Sequence, residues 1–386
     1  MLKALQISLF LSKFMSNTAK WTIALVVIIL IIVGVCYYGS RPTMAPTGEK
    51  PTVAIGVSIP LTGNLAFLGT NYQQAVNLAL ADLSSSTNKY NYKVVFEDDK
   101  FDPATGATTA NKLVGVDKVN VLMSFGSPVG NVFSPIAEQN KVIHLNAFAS
   151  DPNVAKGNYN FVHYTPPYEE TKLMVAEMQK KNIKKVALFE QNQPGVAAAT
   201  KAFRESIQGT NIKLVDQEKF NTGDRDFRSS VLKAKNSGAD IIMIEGTSPE
   251  LELLVKQIKE AGIKTKLTSI ESFEFSDQPQ LFEGLWYVNA ADQTKAFIDK
   301  FTSAYGNAPK LGGGNGYDGI NLLVYAFEKV GDGKTIPTPD QVASVLLSIQ
   351  NFDGAMGTLS MGQDHIVNTK AVVRMIKNGV PTTIAE

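Results

Sequence analysis

Two short apolar runs within residues 119–152 constrain the fold more than any other part of the chain. Val119–Met123 and Val142–Leu145 are rich in β-branched residues and too brief for helices, which is typical of buried parallel strands. Asn131–Asn140 lies between them and predicts a crossover helix. Each run ends in a loop of small polar residues. In an open α/β sheet such loops lie where strand ends meet helix N-termini and bind ligands, so we expect a binding cleft here.

The same alternation of strands and helices continues through most of the chain. It begins with a strand at Val53–Ile59 and a helix at Gly69–Leu83, and a second series begins at Glu169. This pattern predicts an α/β protein with two doubly wound parallel-sheet lobes and right-handed crossovers. The segments Gly357–Met361 and Lys370–Ile376 predict a closing hairpin.

The composition excludes several classes of protein. The 386 residues are enough for two ordinary domains, and a formal net charge of +1 gives no basic surface for nucleic acid. The single cysteine, Cys36, excludes a disulfide within the chain. His144, His163 and His365 are too widely spaced to indicate a metal cluster, so we expect no metal and no cofactor.

An apolar segment near the N-terminus predicts one transmembrane helix. Trp21–Tyr38 carries no charge and is about long enough to cross a bilayer. Lysines precede it and the first basic residue after it is Arg41, so the positive-inside rule places residues 1–20 in the cytoplasm. The rest of the chain is then extracytoplasmic, in the periplasm or at the cell surface, on a single-pass anchor.

Two other interpretations of this segment stay open. A cleaved signal peptide usually has a shorter apolar region that ends in small residues. A lipoprotein would be acylated at Cys36, although Val33-Gly34-Val35 matches the processing preference poorly. In every case the polar composition of residues 39–51 predicts a flexible tether, and the folded part begins at Thr52.

From Thr52 onward the chain resembles the type I periplasmic solute-binding proteins of the branched-chain amino-acid (Leu/Ile/Val-binding) family of ABC transporters. No single motif is decisive, but the order and spacing of several motifs together are specific. The segments that carry the resemblance are Ile55–Gly69, Phe96–Ser127, Ser134–Ile143, Ala149–Pro152, Phe220–Glu250 and Phe352–Met361.

The resemblance implies a clamp that closes on a ligand at hinges and presents it to a membrane permease. It implies no enzymatic activity. The expected hinge crossovers lie near Thr165, Ala290 and Asn351. Lobe one would then comprise residues 52–165 and 291–350, and lobe two residues 166–290 and 351–386.

The resemblance also assigns candidate ligand-binding residues. Ser127 and Ser150 match the hydroxyl positions that bind an α-carboxylate, and the backbone carbonyl of Phe148 matches an acceptor for the α-ammonium. Glu271 falls where the family has an acid for that ammonium, and Thr247 matches a position that is often Tyr. The chemistry is consistent, because a zwitterion leaving water needs donors at one end and a carboxylate at the other.

Two positions depart from the family pattern. Pro194 and Leu68 stand where many relatives have aromatic residues, so they are candidates for the pocket wall and leave the side-chain specificity undefined. Simpler interpretations also exist: Ser127 could cap the following helix, Ser150 could belong to an ordinary turn, and Glu271 could be a solvated loop acid like Glu274.

Three functions follow from these observations. The leading prediction is a membrane-tethered solute-binding subunit of an ABC importer, with a small ligand such as an amino acid. A sensory ligand-binding module on the same fold is the alternative. A hydrolase is disfavoured, because the residues around Ser127 do not form the G-x-S-x-G turn that a serine nucleophile needs on such a fold.

Overall fold

The structure is a computed structural model that describes residues 49–83 and 87–385. The predicted membrane segment Trp21–Tyr38, the alternative acylation site Cys36 and most of the tether lie outside these residues. In the part of the chain that the structure describes, no helix has both the length and the apolar character that a membrane crossing requires.

Parallel strands form two separate sheets. The first sheet has the strand order β2-β1-β3-β4-β5, and the second has the order β7-β6-β8-β9. Their bounds are β1 Thr52–Ile59, β2 Asn91–Asp98, β3 Val121–Phe125, β4 Ile143–Ala147, β5 Asn160–His163, β6 Lys185–Gln191, β7 Lys213–Phe220, β8 Ile241–Glu245 and β9 Lys266–Thr268.

Antiparallel strands complete the molecule near its C-terminus. The strand β10 pairs with β14, which pairs with β15, and β12 lies between β11 and β13. Their bounds are β10 Trp286–Ala290, β11 Phe352–Gly354, β12 Gly357–Met361, β13 Val367–Asn368, β14 Ala371–Lys377 and β15 Val380–Ala385. A bridge between Ile270 and Val288 joins the second parallel sheet to β10.

Helices connect and cover the strands. The described residues contain α1 Ala66–Leu83, α2 Pro103–Gly115, α3 Ser127–Asn140, α4 Pro167–Lys180, α5 Pro194–Ser206, α6 Arg228–Asn236, α7 Glu250–Glu260, α8 Lys295–Tyr305, α9 Gly313–Val330 and α10 Pro339–Leu347. Every residue of β3, β4 and β8 is buried, as expected for central strands with helices on both faces.

Register brings the two loops predicted from residues 119–152 to one edge of the first sheet. Phe125, the last residue of β3, pairs with Ala147, the last residue of β4. The loops that follow, which begin at Gly126 and Phe148, therefore leave the sheet side by side. The predicted strand–helix–strand unit and its parallel pairing are confirmed by this arrangement.

Contrary to the prediction from the sequence, the residues after Asn351 do not all pack with the second lobe. Leu359, Met361 and Ile366 pack into the core of the first sheet, and Asp318 of α9 accepts a hydrogen bond of 2.9 Å from the backbone N–H of Met356. The predicted hairpin is also wrong, because β12 pairs with β11 and β13 while β14 pairs with β10 and β15.

This packing moves the third crossover. Residues 352–368 belong with the first lobe, because their apolar side chains complete its core, and β14 belongs with the second. We therefore propose crossovers near Thr165, Ala290 and Thr369, the last replacing the position near Asn351. The hydroxyl oxygens of Thr165 and Thr369 lie 2.7 Å apart, which ties two of these segments together.

Candidate functional site

The ends of the two parallel sheets line a small, partly open cavity of about 30 Å³, which has room for only a few water molecules. Any larger ligand therefore requires the lobes to part. Five predicted site residues line this cavity together: Ser127, Phe148, Ser150, Thr247 and Glu271. The other lining residues are Phe101, Gly126, Pro128, Gln193, Gly195, Val196, Ala199, Glu245, Gly246, Ile270, Ser272 and Phe275.

Ser127 opens the helix α3 at the end of β3. Gly126 occupies the N-cap position with φ of 76°, a backbone conformation that favours glycine, and no side chain among the described residues caps the helix. The Ser127 hydroxyl instead accepts a hydrogen bond of 3.1 Å from the backbone N–H of Asp151. The simple capping role is thus absent, and the free N–H groups and dipole of α3 remain directed at the cleft.

The second loop holds Phe148 in a left-handed conformation, with φ of 85°. Such a conformation costs a bulky residue about 1–3 kcal/mol, so the surroundings must enforce it. The Phe148 ring stacks on Phe125 at 5.1 Å between centroids and contacts Tyr164 at 4.2 Å. Aromatic packing therefore fixes the loop that carries Ser150.

Ser150 reaches across the cleft to the opposite lobe. Its hydroxyl donates to the Glu271 carboxylate, with distances of 2.9 Å to Oε1 and 3.1 Å to Oε2. The turn that follows is capped by Asp151, which accepts from the backbone N–H of Asn153. Ser150 is therefore not needed for the turn.

Glu271 is buried, with 6% of its surface exposed, so it is not a solvated loop acid. It follows β9 with φ of 64°, another left-handed position. Burial raises the pKa of this carboxyl above its usual range, and the Ser150 hydroxyl opposes that rise. No lysine or arginine among the described residues forms an ion pair with it.

Glu274 differs from Glu271 in having its own cation. Arg374 donates to Glu274 over 2.6 Å, and the Tyr287 hydroxyl and Asn289 amide donate to the same carboxylate. Arg374 also bonds Asp292 at 2.8 Å. Nothing in the local sequence separates the two glutamates, but the structure leaves only Glu271 of this pair facing the cleft without a positive partner.

The remaining predicted residues, Thr247, Pro194 and Leu68, differ in how close they lie to the cavity. Thr247 lies just after β8, where its N–H and hydroxyl both donate to the Gln191 side chain at 2.8 and 3.0 Å. Pro194 is the exposed first residue of α5, and its neighbour Gly195 lines the cavity. Leu68 is fully buried in the core of the first lobe and is not among the cavity-lining residues, because α1 turns it inward.

Sequence reasoning missed several residues of the site. Phe101 and Phe275 supply an apolar wall, and Glu245 adds a second buried acid. Glu245 accepts from the N–H of Ile270 at 2.7 Å and from the Ser272 hydroxyl at 2.9 Å, and burial raises its pKa well above the usual range. Its position as the last residue of a buried strand was the available signal.

A serine–histidine contact lies inside the first lobe. His144 Nε2 is 2.7 Å from the Ser124 hydroxyl, and His144 Nδ1 is 2.9 Å from the Asn160 side chain. All three residues are completely buried, so no substrate reaches this serine. The network satisfies polar groups in the core. No group of three His, Cys, Asp or Glu residues in the described ranges could hold a metal ion.

A two-lobed α/β molecule with a polar cleft between its sheets is, by class, a solute-binding protein. The family model described as periplasmic binding protein matches residues 52–380, and the chain belongs to this family. The predicted family and the predicted α/β fold of the folded part are confirmed. Proteins of this family work outside the cytoplasm.

Individual proteins show how far the similarity extends. A Leu/Ile/Val-binding protein homologue of Brucella abortus (strain 2308) is 25% identical over 325 residues, covering 80% of this chain and 85% of that protein. A branched-chain amino acid transporter substrate-binding protein of Streptococcus pneumoniae, solved with isoleucine, has a TM-score of 0.77 and 24% identity over 87% of this chain and 100% of that chain.

An aromatic-acid complex has the same fold. A solute-binding protein of an ABC transporter from Rhodopseudomonas palustris BisB5, solved with 3,4-dihydroxybenzoic acid, has a TM-score of 0.76 and 20% identity over 87% of this chain and 96% of that chain. Since both solved structures are less than 25% identical to this chain, they establish its fold and leave its ligand to the chemistry of the cleft.

Proposed function

We propose that this protein binds an α-amino acid in the cleft between its lobes and delivers it to an ABC-type importer. One observation carries the proposal. Among residues 49–83 and 87–385, no cation pairs with the buried Glu271 carboxyl and no side chain caps the N-terminus of α3, which lies on the same cavity with Ser127 and Ser150. Both ends of a zwitterion would find a partner of opposite polarity here.

The electrostatics favour a zwitterion over a simple acid or a sugar. A carboxylate that leaves water needs N–H and hydroxyl donors, which α3 and the two serines supply. The buried Glu271 carboxylate in turn needs a donor with positive charge. The names of the Brucella and Streptococcus relatives, which refer to branched-chain amino acids, support this ligand class for the present chain.

An aromatic carboxylic acid is the second candidate. Phe101, Phe148 and Phe275 line the cavity, and such rings favour a flat apolar ligand. The Rhodopseudomonas structure with 3,4-dihydroxybenzoic acid shows that the fold accepts a ligand of this type. Such a ligand would leave Glu271 without a positive partner, and for that reason we rank it second.

The proposal includes attachment to the membrane. Trp21–Tyr38 would anchor the binding domain outside the cytoplasm, beside a permease that receives the ligand. Lipid attachment at Cys36 would place the domain in the same compartment. We propose a binding role with no catalysis, in keeping with the family.

Thermal unfolding of the purified full chain tests the ligand class. A panel of amino acids, hydroxybenzoates, short amides and sugars is added in excess. A ligand at a hundred times its dissociation constant stabilises the folded state by about 2.7 kcal/mol. We expect stabilisation by an amino acid and its loss in Glu271→Gln, because the neutral amide no longer attracts an ammonium group.

The matched control is Glu260→Gln, an exposed position at the end of α7. It should keep the full stabilisation. Stabilisation only by acids without an ammonium group, equal in the wild type and Glu271→Gln, would contradict the amino-acid assignment. It would still support ligand binding in the cleft.

A further inference from the structure

A second acid, Glu170, interacts with Glu271 and is not among the residues that line the cavity. It occupies the first turn of α4, and none of its surface reaches solvent. Neither of its carboxyl oxygens has a hydrogen-bond donor within residues 49–83 and 87–385. Its carboxyl interacts with the carboxyl of Glu271.

The surroundings of this pair are mostly negative. Glu245 at the end of β8 and Glu274 in the segment after Glu271 both face it, and the Tyr164 hydroxyl lies nearby. The nearby cation is Arg374 of β14, which already binds Glu274 and Asp292. No element packed against the pair therefore supplies a free positive charge from the described part of the chain.

Two carboxyl groups in contact within a dry site cannot both be ionised, and a shared proton resolves the repulsion. Glu271 already accepts from Ser150, which favours its charged form. No described residue donates to Glu170, so the proton belongs on Glu170, whose hydroxyl then donates to Glu271. Burial and the neighbouring Glu271 both raise the pKa of Glu170 well above its usual range, in agreement with this assignment.

We propose that Glu170 is a positioning residue that holds one proton against Glu271. An incoming ammonium group displaces this proton to solvent in a fraction of the molecules. This proposal deepens the proposed function and rests on it for the identity of the cationic group. In the free protein the pair carries one proton and one negative charge. Loss of the proton leaves two negative carboxylates, and the ammonium charge offsets one of them, so the pair keeps one net negative charge.

Titration calorimetry of the full chain with L-isoleucine at pH 7.5, in phosphate and in Tris, measures proton release. These buffers differ in their heat of protonation, so released protons make the observed heat depend on the buffer. We expect such a dependence in the wild type and in Glu169→Gln, an adjacent and partly exposed control. In Glu170→Gln, which keeps a donor to Glu271 without a dissociable proton, we expect none.

The pH dependence of ligand affinity provides a second measurement of proton release. Affinity in the wild type should rise with pH by up to tenfold per unit, and Glu170→Gln should flatten this slope. Equal proton release in the wild type and Glu170→Gln would overturn the proposal, because the proton would then come from a group other than Glu170.

Urea unfolding without ligand separates this proposal from the amino-acid assignment. A carboxyl whose folded-state pKa is raised stabilises the protein fully only below its unfolded pKa, and that stabilisation is lost as pH rises. The unfolding equilibrium of the wild type relative to Glu170→Gln should therefore shift toward unfolding between pH 5 and 8, by up to tenfold per pH unit.

Glu169→Gln should run parallel to the wild type in this assay. The Glu170→Gln effect should become smaller in a Glu271→Gln background, where burial still raises the pKa of Glu170 but the neighbouring negative charge is gone. Parallel curves for the wild type and Glu170→Gln would overturn the shared proton even if L-isoleucine binds. If no amino acid binds but the curves diverge, and diverge less in the Glu271→Gln background, the shared proton is retained and the amino-acid ligand is rejected.

Discussion

Single residues set the polarity of the cleft. Phe148 and Glu271, on opposite lobes, both have left-handed backbone conformations that are rare outside glycine and asparagine. Each presents its loop to the cavity and is surrounded by buried partners. Local strain at such positions persists only when packing enforces it, and it is concentrated at functional sites.

The fully buried His144 gives a prediction about acid stability. Burial lowers the pKa of His144 to about 4, from 6.5 in the unfolded chain. The unfolded state then binds the proton more readily, so stability should fall as pH drops from 6.5 to 4, by about 3 kcal/mol at most. Urea unfolding between pH 7 and 4 should show this slope in the wild type and a smaller one in His144→Gln.

His365→Gln is the control for this experiment, because His365 is partly exposed and lies on another segment. It should retain the wild-type slope. An unchanged slope in His144→Gln would show that other groups govern the loss of stability in acid.

The sequence was most informative about residues at the ends of strands. Ser127, Phe148, Ser150, Thr247 and Glu271 could be proposed from their positions after predicted strands together with the family resemblance, and the structure gathers them around one cavity. Glu170 could not be found in this way. It stands beside Glu169 in a helix, and only tertiary packing distinguishes the buried acid from the more exposed one.

At the level of elements, two helix N-termini meet across the cleft. The helices α3 and α5 are in contact, and neither has a side-chain cap among the described residues. A Cβ built at Gly195 of α5 would lie 3.0 Å from the Ser127 hydroxyl oxygen. The absence of a side chain at Gly195 therefore permits the close approach of the two helices.

Gly195→Val should hinder closure, because its branched side chain would occupy the space next to Ser127. We expect at least a tenfold loss of amino-acid affinity by calorimetry with little change in urea stability, since Gly195 lies at a lobe surface. Ala197→Val, at an exposed position of the same helix, should bind as the wild type does. Unchanged affinity in Gly195→Val would show that this helix contact is not part of the bound state.

Helices and strands could be predicted from the sequence where the spacing of apolar residues and the length of the segment both indicated the same element. The buried strands β3 and β4 and the helix between them are examples. The C-terminal strands did not follow, because short β-runs such as Gly357–Met361 do not encode which strand they pair with. Their assignment to a lobe depends on contacts with α9 that are distant in sequence.

For the molecule as a whole, the lobes have separate cores and meet at the cleft and the crossovers. The Ser150–Glu271 hydrogen bond joins the lobes directly across the cleft. A ligand that offers a carboxylate to one side and an ammonium group to the other would replace this bond with its own contacts and hold the lobes together. Hinge closure around a ligand is the usual motion of such a fold.

Calorimetric titration of the full chain with L-isoleucine, 3-methylpentanoic acid and 3,4-dihydroxybenzoic acid tests whether the cleft selects a zwitterion. The first two ligands differ only in the ammonium group. We predict that L-isoleucine binds at least a hundredfold more tightly than either acid, because a charged hydrogen-bonded pair in a buried site is worth about 3 kcal/mol. If either acid binds as tightly as L-isoleucine, the zwitterion clamp between Glu271 and the two serines is contradicted.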